Sequence, residues 1–424
     1  MRQTNELTRL DRAFVSDPWS VYHRLRDAGP VQRAVLTGGE PAWLVTGHAE
    51  ARALLADERL STDYFGVRAL LPGPAGPYES PLSAHMLNTD PPAHTRLRAL
   101  VNQAFTEHTV ARLRPRIEQI ADDLLDRMSQ CQLTQGQLTQ GQLTRGELAE
   151  GEPADLIEDY AVTLPVTVIC ELLGVPAADR NDFRRWSKAI VSSVPPDVAR
   201  ESARSVSAYL TALIDAKRVS PADDLLSSLI HQTSEDGTLW PDELVRMAFL
   251  LLVAGLEKMV GLIGNGMLAL LQHPRELARL RSEPGLMPTA IEEFLRYDGS
   301  IHIATVRFTT EPVRVAQTVI PADELVLISL LAANRDRDRY ADPDVLDLSR
   351  PARGHLAFGH GVHYCVGAPL ARLEGQIAIG RLLGRFPGLA LAGPPGDLHW
   401  RGSLLVRSLS SLPVTLAAEV PAAQ

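Results

Sequence analysis

The stretch FGHGVHYCVG, Phe358 to Gly367, decides how this chain is read. Gly359, Gly361 and Gly367 free the backbone on either side of Cys365. The residues that follow, APLARLEGQIAIGRLLGRF from Ala368 to Phe386, carry helical periodicity. Cys365 therefore stands at the start of a helix, where free amide N–H groups and the helix dipole favour a thiolate. A thiolate on a glycine-rich loop serves as a nucleophile or as a metal ligand. A nucleophile wants a positioned base, and His363, two residues away on a tight loop, is poorly placed for that. A soft thiolate ligating one iron fits better. Cys131 and Cys170 read as small buried hydrophobes. Three scattered cysteines imply neither a disulfide framework nor a zinc cluster.

Outward from that loop, the composition is that of an ordinary globular protein, 45% apolar and 22% charged. A net charge of -9 argues against nucleic acid as a bulk partner. The polar start, MRQTNELTRLDRAF, has no secretory pattern. The longest apolar run, Met247 to Leu256, is too short and too soon charged for a membrane span. The expectation is a soluble, cytoplasmic chain with no membrane contact. Its 424 residues contain no Gly/Ser linker, so one large domain over 1–424 is expected.

Helical patterning dominates, in Val110 to Met128, Leu164 to Leu173 and Val206 to Arg218. Short strands are expected at Ala42 to Thr46, Ile303 to Phe308, Val313 to Ile320, Leu325 to Ile328, Leu404 to Val406 and Pro413 to Leu416. The fold class is mainly α with small β-sheets. Residues 132–151 repeat a five-residue unit with a Gly in each, a period that fits neither helix nor strand, so a mobile insert is expected there. Thr238 to His273 is the longest helical segment, opened by Pro241 with Asp242 and Glu243 in its first turn and stopped by Pro274. Its apolar residues lie on every face, which makes it a buried helix roughly 48 Å long. Gly255, Gly261, Gly264 and Gly266 inside it imply close packing by something flat or bulky.

Other spacings carry chemistry. Glu293 and Arg296 stand three apart on one helix face, as an ion pair requires. In DPPAHTRLR, His94 and Arg98 at i, i+4 point at one carboxylate. The Cys365 run, FxxGxxxCxG at Phe358, Gly361, Cys365 and Gly367, resembles the haem-binding loop of the cytochrome P450 monooxygenases. Similarity to that family, of the soluble bacterial kind that tailors natural products, extends from about Asp17 to Leu416. The resemblance implies the P450 fold and one haem b with Cys365 as iron ligand. It makes Phe358, Gly359, His363, Gly367, His94, Arg98 and Arg307 (in ATVRF) haem contacts, and Arg350 a second partner of Glu293. It also implies O₂-dependent oxidation of a small molecule, with electrons from NAD(P)H through ferredoxin reductase and ferredoxin. Arg98, Arg112, Arg114, Arg116 and Arg372 form an expected basic docking face.

One departure matters. Where the family carries an acid followed by an alcohol, this chain reads Ala254-Gly255-Leu256-Glu257-Lys258-Met259, with no Ser or Thr from Phe249 to Leu271. Glu257 keeps the acid and Lys258 replaces the alcohol; both are the expected catalytic residues. Lys258 turns away, or donates protons and orients water, or pairs with Glu257 or a substrate carboxylate, or ligates iron. By analogy, substrate contacts fall between Phe65 and Met86, between Ile190 and Val194, and at Leu251, Ala254, Ile301, His302, Ile303, Leu404 and Leu405. His302 is the polar exception in an otherwise hydrophobic set. Three functions stay open: monooxygenation, atypical haem-thiolate chemistry such as peroxide use, ring coupling or dehydration, and haem binding without turnover.

Overall fold

The computed structural model describes residues 7–71, 81–139, 153–191, 195–231 and 240–417. Helices form the body: α1 (Ala93–Ala104), α2 (Arg114–Thr139), α3 (Thr163–Leu172), α4 (Pro196–Val219), α5 (Pro241–Gln272), α6 (Met287–Asp298) and α7 (Ala368–Arg385). A six-stranded sheet has the order β1 (Thr8–Leu10), β2 (Val31–Leu36), β3 (Pro41–Val45), β9 (Leu325–Ile328), β6 (Arg307–Thr309), β4 (Leu60–Ser61). Strands β7 (Val313–Val315) and β8 (Thr318–Ile320) make a hairpin, and β10 (Gly388–Leu391), β11 (Pro413–Ala417) and β5 (Ala154–Asp155) a small third sheet.

Helix α5 is the axis. Glu243 reaches back to accept the Trp240 backbone N–H at 3.0 Å, Pro241 sits in the first turn, and Pro274 opens the next helix. Its length and apolarity would suit a membrane span, yet 78% of its most apolar window is buried inside the protein, against α3, α6 and α7 among others. Three of its glycines admit neighbouring protein: a Cβ on Gly261 would come within 2.4 Å of Ser300, on Gly264 within 2.5 Å of Ile157, and on Gly266 within 3.1 Å of Phe294. Gly255 has nothing within 4 Å of such a Cβ. The expected demand for close packing is therefore met by protein at three positions and opens onto space at the fourth.

Several expectations shift. The segment expected as Val110 to Met128 is two helices, Glu107–Arg112 and α2, because Pro115 cannot continue the first and restarts the second. Helix α2 then runs through Gly136 to Thr139, into the repeat expected to be a mobile loop. One Gly costs about 1 kcal/mol, and the Gln and Leu around it prolong a helix already anchored by Ile117, Ile120 and Leu124. Residues 140–151 of the repeat lie outside the described residues. Between Ile303 and Phe308 only the end is strand, and Val406 makes a single bridge with Ile301 in place of a strand. Val313 to Ile320 turns back on itself at Ala316, whose φ is 51°.

Candidate active site

The Cys365 loop is built by its own backbone. Cys365 N–H donates to Phe358 C=O at 2.9 Å, and Gly359 N–H to Leu356 C=O at 2.8 Å. Gly359 and Gly361 have φ of 71° and 74°, and a Cβ on Gly361 would stand 2.8 Å from Leu55 O and 2.9 Å from Ala56 Cα. Only glycine fits that turn. Asn334 Oδ1 accepts the Leu356 N–H at 2.6 Å, fixing the entrance to the loop. Gly367 caps α7 and offers its N–H toward the sulfur. Burial raises the Cys365 thiol pKa, while the Gly367 N–H and the charges of Arg98, Lys258 and Arg372 oppose that.

Beneath the loop lies a clamp that sequence reasoning missed. Glu292 on α6 accepts from Arg372 on α7 at 2.5 and 2.9 Å and meets His355 Nε2 at 3.2 Å. Burial would raise the Glu292 pKa, but the bonds from His355 and Arg372 prevail and hold it at about 2. Beside it, the expected ion pair is complete and dry. Arg296 donates to both oxygens of Glu293 at 2.7 and 2.8 Å, and neither side chain is exposed. Arg350 Nε adds a contact at 3.3 Å and the Asp347 N–H one at 3.0 Å. Arg296 also binds the carbonyls of Asn334, Pro343 and Val345, which ties the core helix to the loop ahead of Cys365.

A cavity of about 270 Å³ separates this loop from α5. Cys365, Phe358, Gly359 and Gly367 line one side; Leu251, Ala254, Gly255 and Lys258 line the other. Arg98, Arg307 and His363 cluster on its wall. Arg307 is buried and donates to Thr305 C=O at 2.7 Å. His94 packs its ring 4.3 Å from that of His363. Burial, with His94, Arg307 and Arg98 nearby, pushes the His363 pKa down to about 3. Both ring nitrogens of His94 are buried and unpartnered in the protein. The N–H of an unpartnered His94 ring beside two guanidinium groups calls for anionic oxygen acceptors. A flat, largely apolar group with two carboxylates, which Cys365 would ligate and Arg98, Arg307 and the His94–His363 pair would hold, meets all of these demands. The residues present thus fit haem.

On α5, burial raises the Glu257 pKa, with Lys258 and Arg401 pulling it back. Glu257 is buried and lies off the cavity wall; Lys258 lines it. Among the described residues, Lys258 makes no hydrogen bond or ion pair, so pairing with Glu257, one of the readings left open for it, is not formed here. Leu251, Ala254 and Ile301 line the cavity as expected. His302, Ile303, Leu404 and Leu405 do not, which corrects the expectation for them. His302 Nε2 meets Tyr22 Oη at 2.6 Å, and Ser329 Oγ donates to the same oxygen at 2.7 Å. Ile303, Leu404 and Leu405 pack in the cluster around Phe14 and Tyr22. The backbone turns so that Ile301 and Ala304 face the cavity and the residues between face away. Ile190 to Val194 and the middle of Phe65 to Met86 lie largely outside the described residues. The expected basic face is partly neutralised, since Arg116 is held by Glu171, Arg114 by Glu118 and Arg372 by Glu292. Glu374 on α7 is a further cavity residue not foreseen; burial raises its pKa to about 8.

The comparisons agree with this architecture. The family model described as Cytochrome P450 matches residues 197–391. Cytochrome P450 107B1 of Saccharopolyspora erythraea is 46% identical over 96% of this chain and 97% of its own. The P450 monooxygenase PikC of Streptomyces venezuelae is 45% identical over 96% and 93%. The solved structure of the tirandamycin C-bound P450 monooxygenase TamI superposes with a TM-score of 0.86 at 44% identity, covering 97% of this chain and all of the other. With a thiolate loop, a buried Glu–Arg pair and a haem-shaped cavity in one place, the chain belongs to the cytochrome P450 family of haem-dependent oxygenases.

Proposed function

We propose that this chain is an O₂-dependent monooxygenase of a mostly hydrophobic small molecule in natural-product biosynthesis, fed electrons from NAD(P)H by a ferredoxin reductase and a ferredoxin. The observation that carries this reading is the single cavity that has Cys365 on one side and the apolar stretch Leu250, Leu251 and Ala254 of α5 on the other. Haem held there supplies reductive activation of O₂. The apolar wall holds the substrate and excludes water. A natural-product substrate is supported by likeness to TamI, solved with tirandamycin C, and to PksS of Bacillus subtilis, named for polyketide biosynthesis and 38% identical over 96% of this chain.

Glu257 and Lys258 are assigned to proton handling. Lys258 orients water at the cavity wall, while Glu257, its pKa raised by burial, keeps its proton behind that wall. Product formed with NADH, reductase and ferredoxin, compared with product formed from hydrogen peroxide, tests the oxidant source. Lys258→Thr, followed as product per NADH consumed, tests the residue. Unchanged rate and coupling would remove Lys258 from proton handling. The replacement of the alcohol by Lys258 also favours a second reading, atypical haem-thiolate oxidation such as peroxide use or ring coupling, which product from peroxide alone would support.

A further inference from the structure

Lys258 is one of three lysines in a chain with 42 Lys and Arg. Where this protein buries Lys217, Arg296 and Arg407 it partners each with a carboxylate, Asp224, Glu293 and Asp298, and the partly exposed Arg372 holds Glu292. Lys258, half-buried, has no carboxylate within 4 Å among the described residues. It projects from the middle of α5 into a cavity whose nearby walls are Leu251, Ala254, Met86 and Ile301. An ammonium in apolar surroundings is costly unless an anion or water meets it. The Arg98, Arg307 and His363 cluster is suited to the haem carboxylates, so Lys258 is a separate positive centre over the substrate space.

A second observation lies behind the neighbouring wall. His85 precedes Met86 and Leu87, which line the cavity, and its Nδ1 is buried without a partner. Lys258 lies close enough to His85 for its charge to oppose imidazole protonation. An imidazole and an ammonium thus share a region whose lining is mainly apolar, and no carboxylate pairs with the ammonium among the described residues.

We infer that the substrate is an apolar molecule bearing an anionic group, most simply a carboxylate, bound by Lys258 with His85 beside it. This deepens the monooxygenase reading and rests on it for the word substrate. The acid group is held on the α5 side of the cavity, so the atoms presented to the iron are those a short reach from the carboxylate. An ammonium suits the site better than a guanidinium because it is a compact point charge that one helix residue can present without a flanking fork of donors.

The test uses the ferric holoenzyme and needs no turnover. Dodecanoate and 4-phenylbutanoate, each paired with its methyl ester, are titrated against the Soret band. Each acid is expected to bind about 10- to 100-fold more tightly than its ester, as a charge-assisted contact implies. Lys258→Gln should reduce that preference to within about threefold, and Lys258→Arg should retain part of it. A reduced-CO spectrum shows whether each variant still holds thiolate-ligated haem. Equal binding of acids and esters, no binding of either acid, or a preference that survives Lys258→Gln overturns the inference. Failure of oxidation with NADH and ferredoxin would instead count against the monooxygenase reading and leave the binding result standing.

Discussion

The guanidinium of Arg372 lies 4.6 Å from the ring centroid of Phe358 while it binds Glu292 through two nitrogens. Helix α7, which begins three residues after Cys365, is thereby fastened both to α6 and to the start of the thiolate loop. Arg372→Met keeps the apolar stem but loses both attachments. A loss of about 1–3 kcal/mol is expected, with the pair discounted because Arg372 is 31% exposed. Urea unfolding of the holoenzyme reads the stability. Transfer of haem to apomyoglobin reads the loop, and its rate should rise. An unchanged transfer rate would show that the clamp does not hold the loop.

The same clamp sets an acid limit. The Glu292 pKa lies near 2 when folded, against an ordinary 4.5. A carboxylate with a depressed folded pKa adds stability in full above its unfolded value, and loses it as pH falls toward the folded one. The native protein should therefore exceed Glu292→Gln by on the order of 2–3 kcal/mol at pH 7. That margin should shrink from about pH 4.5 downward and be nearly gone by about pH 2. Urea midpoints of both proteins across this range give the difference directly; a constant margin would refute the assignment.

What could be read from sequence was local. The glycine spacing around Cys365, the three-residue step from Glu293 to Arg296 and the proline-bounded α5 each depend on neighbours within a few residues, and each stands in the structure. Arg350 is different: a separation of 57 positions from Glu293 carries no spacing rule, so only the family resemblance placed it. Glu292 and Glu374 were missed because a charged residue on a helix reads as solvent-facing unless its distant partner or cavity is known. His302 was misplaced for the same reason, since its partner Tyr22 is 280 residues away. The repeat, which helix α2 enters, is described only as far as Thr139.

Gly361 makes a sharp local prediction. Its φ of 74° and the 2.8 Å approach to Leu55 O leave no room for a methyl group. Gly361→Ala adds about 1–2 kcal/mol of backbone strain and a backbone clash that no rotamer relieves. The expected result is a folded protein with a much reduced yield of thiolate-ligated haem in the reduced-CO spectrum. Gly396→Ala is the control, since a Cβ there meets nothing within 4 Å.

Glu293→Gln leaves Arg296 charged and fully buried with its main partner weakened. Breaking a buried pair costs about 3–5 kcal/mol, far more than a surface pair. Arg350→Lys loses the contact at 3.3 Å and the guanidinium's bonds to the carbonyls of Ala341, Asp342 and Val345, yet leaves Arg296 paired, and should cost less, about 1–2 kcal/mol. The ordering of the two losses in urea unfolding is the measurement. Equal costs would mean that Arg350 contributes as much as Arg296.

His302 and Ile301 are adjacent in sequence, and the structure gives them opposite tasks. Ile301 lines the cavity; His302 is buried behind it, where it meets Tyr22 Oη, and Ser329 donates to that same oxygen. Burial pushes the His302 pKa down to about 3. A base with a depressed folded pKa stays neutral when folded, so its burial costs stability as pH falls from about 6.5 toward 3. His302→Phe removes that acid-dependent cost but takes a partner from buried Tyr22, a loss of about 1–3 kcal/mol at pH 7. Its stability should accordingly vary less than the native protein's between pH 6.5 and pH 4, and its Soret response to cavity ligands should be native. Ile301→Phe should do the reverse, preserving stability within about 1.5 kcal/mol while weakening ligand binding. If His302→Phe weakened binding at native stability, His302 would belong to the cavity after all.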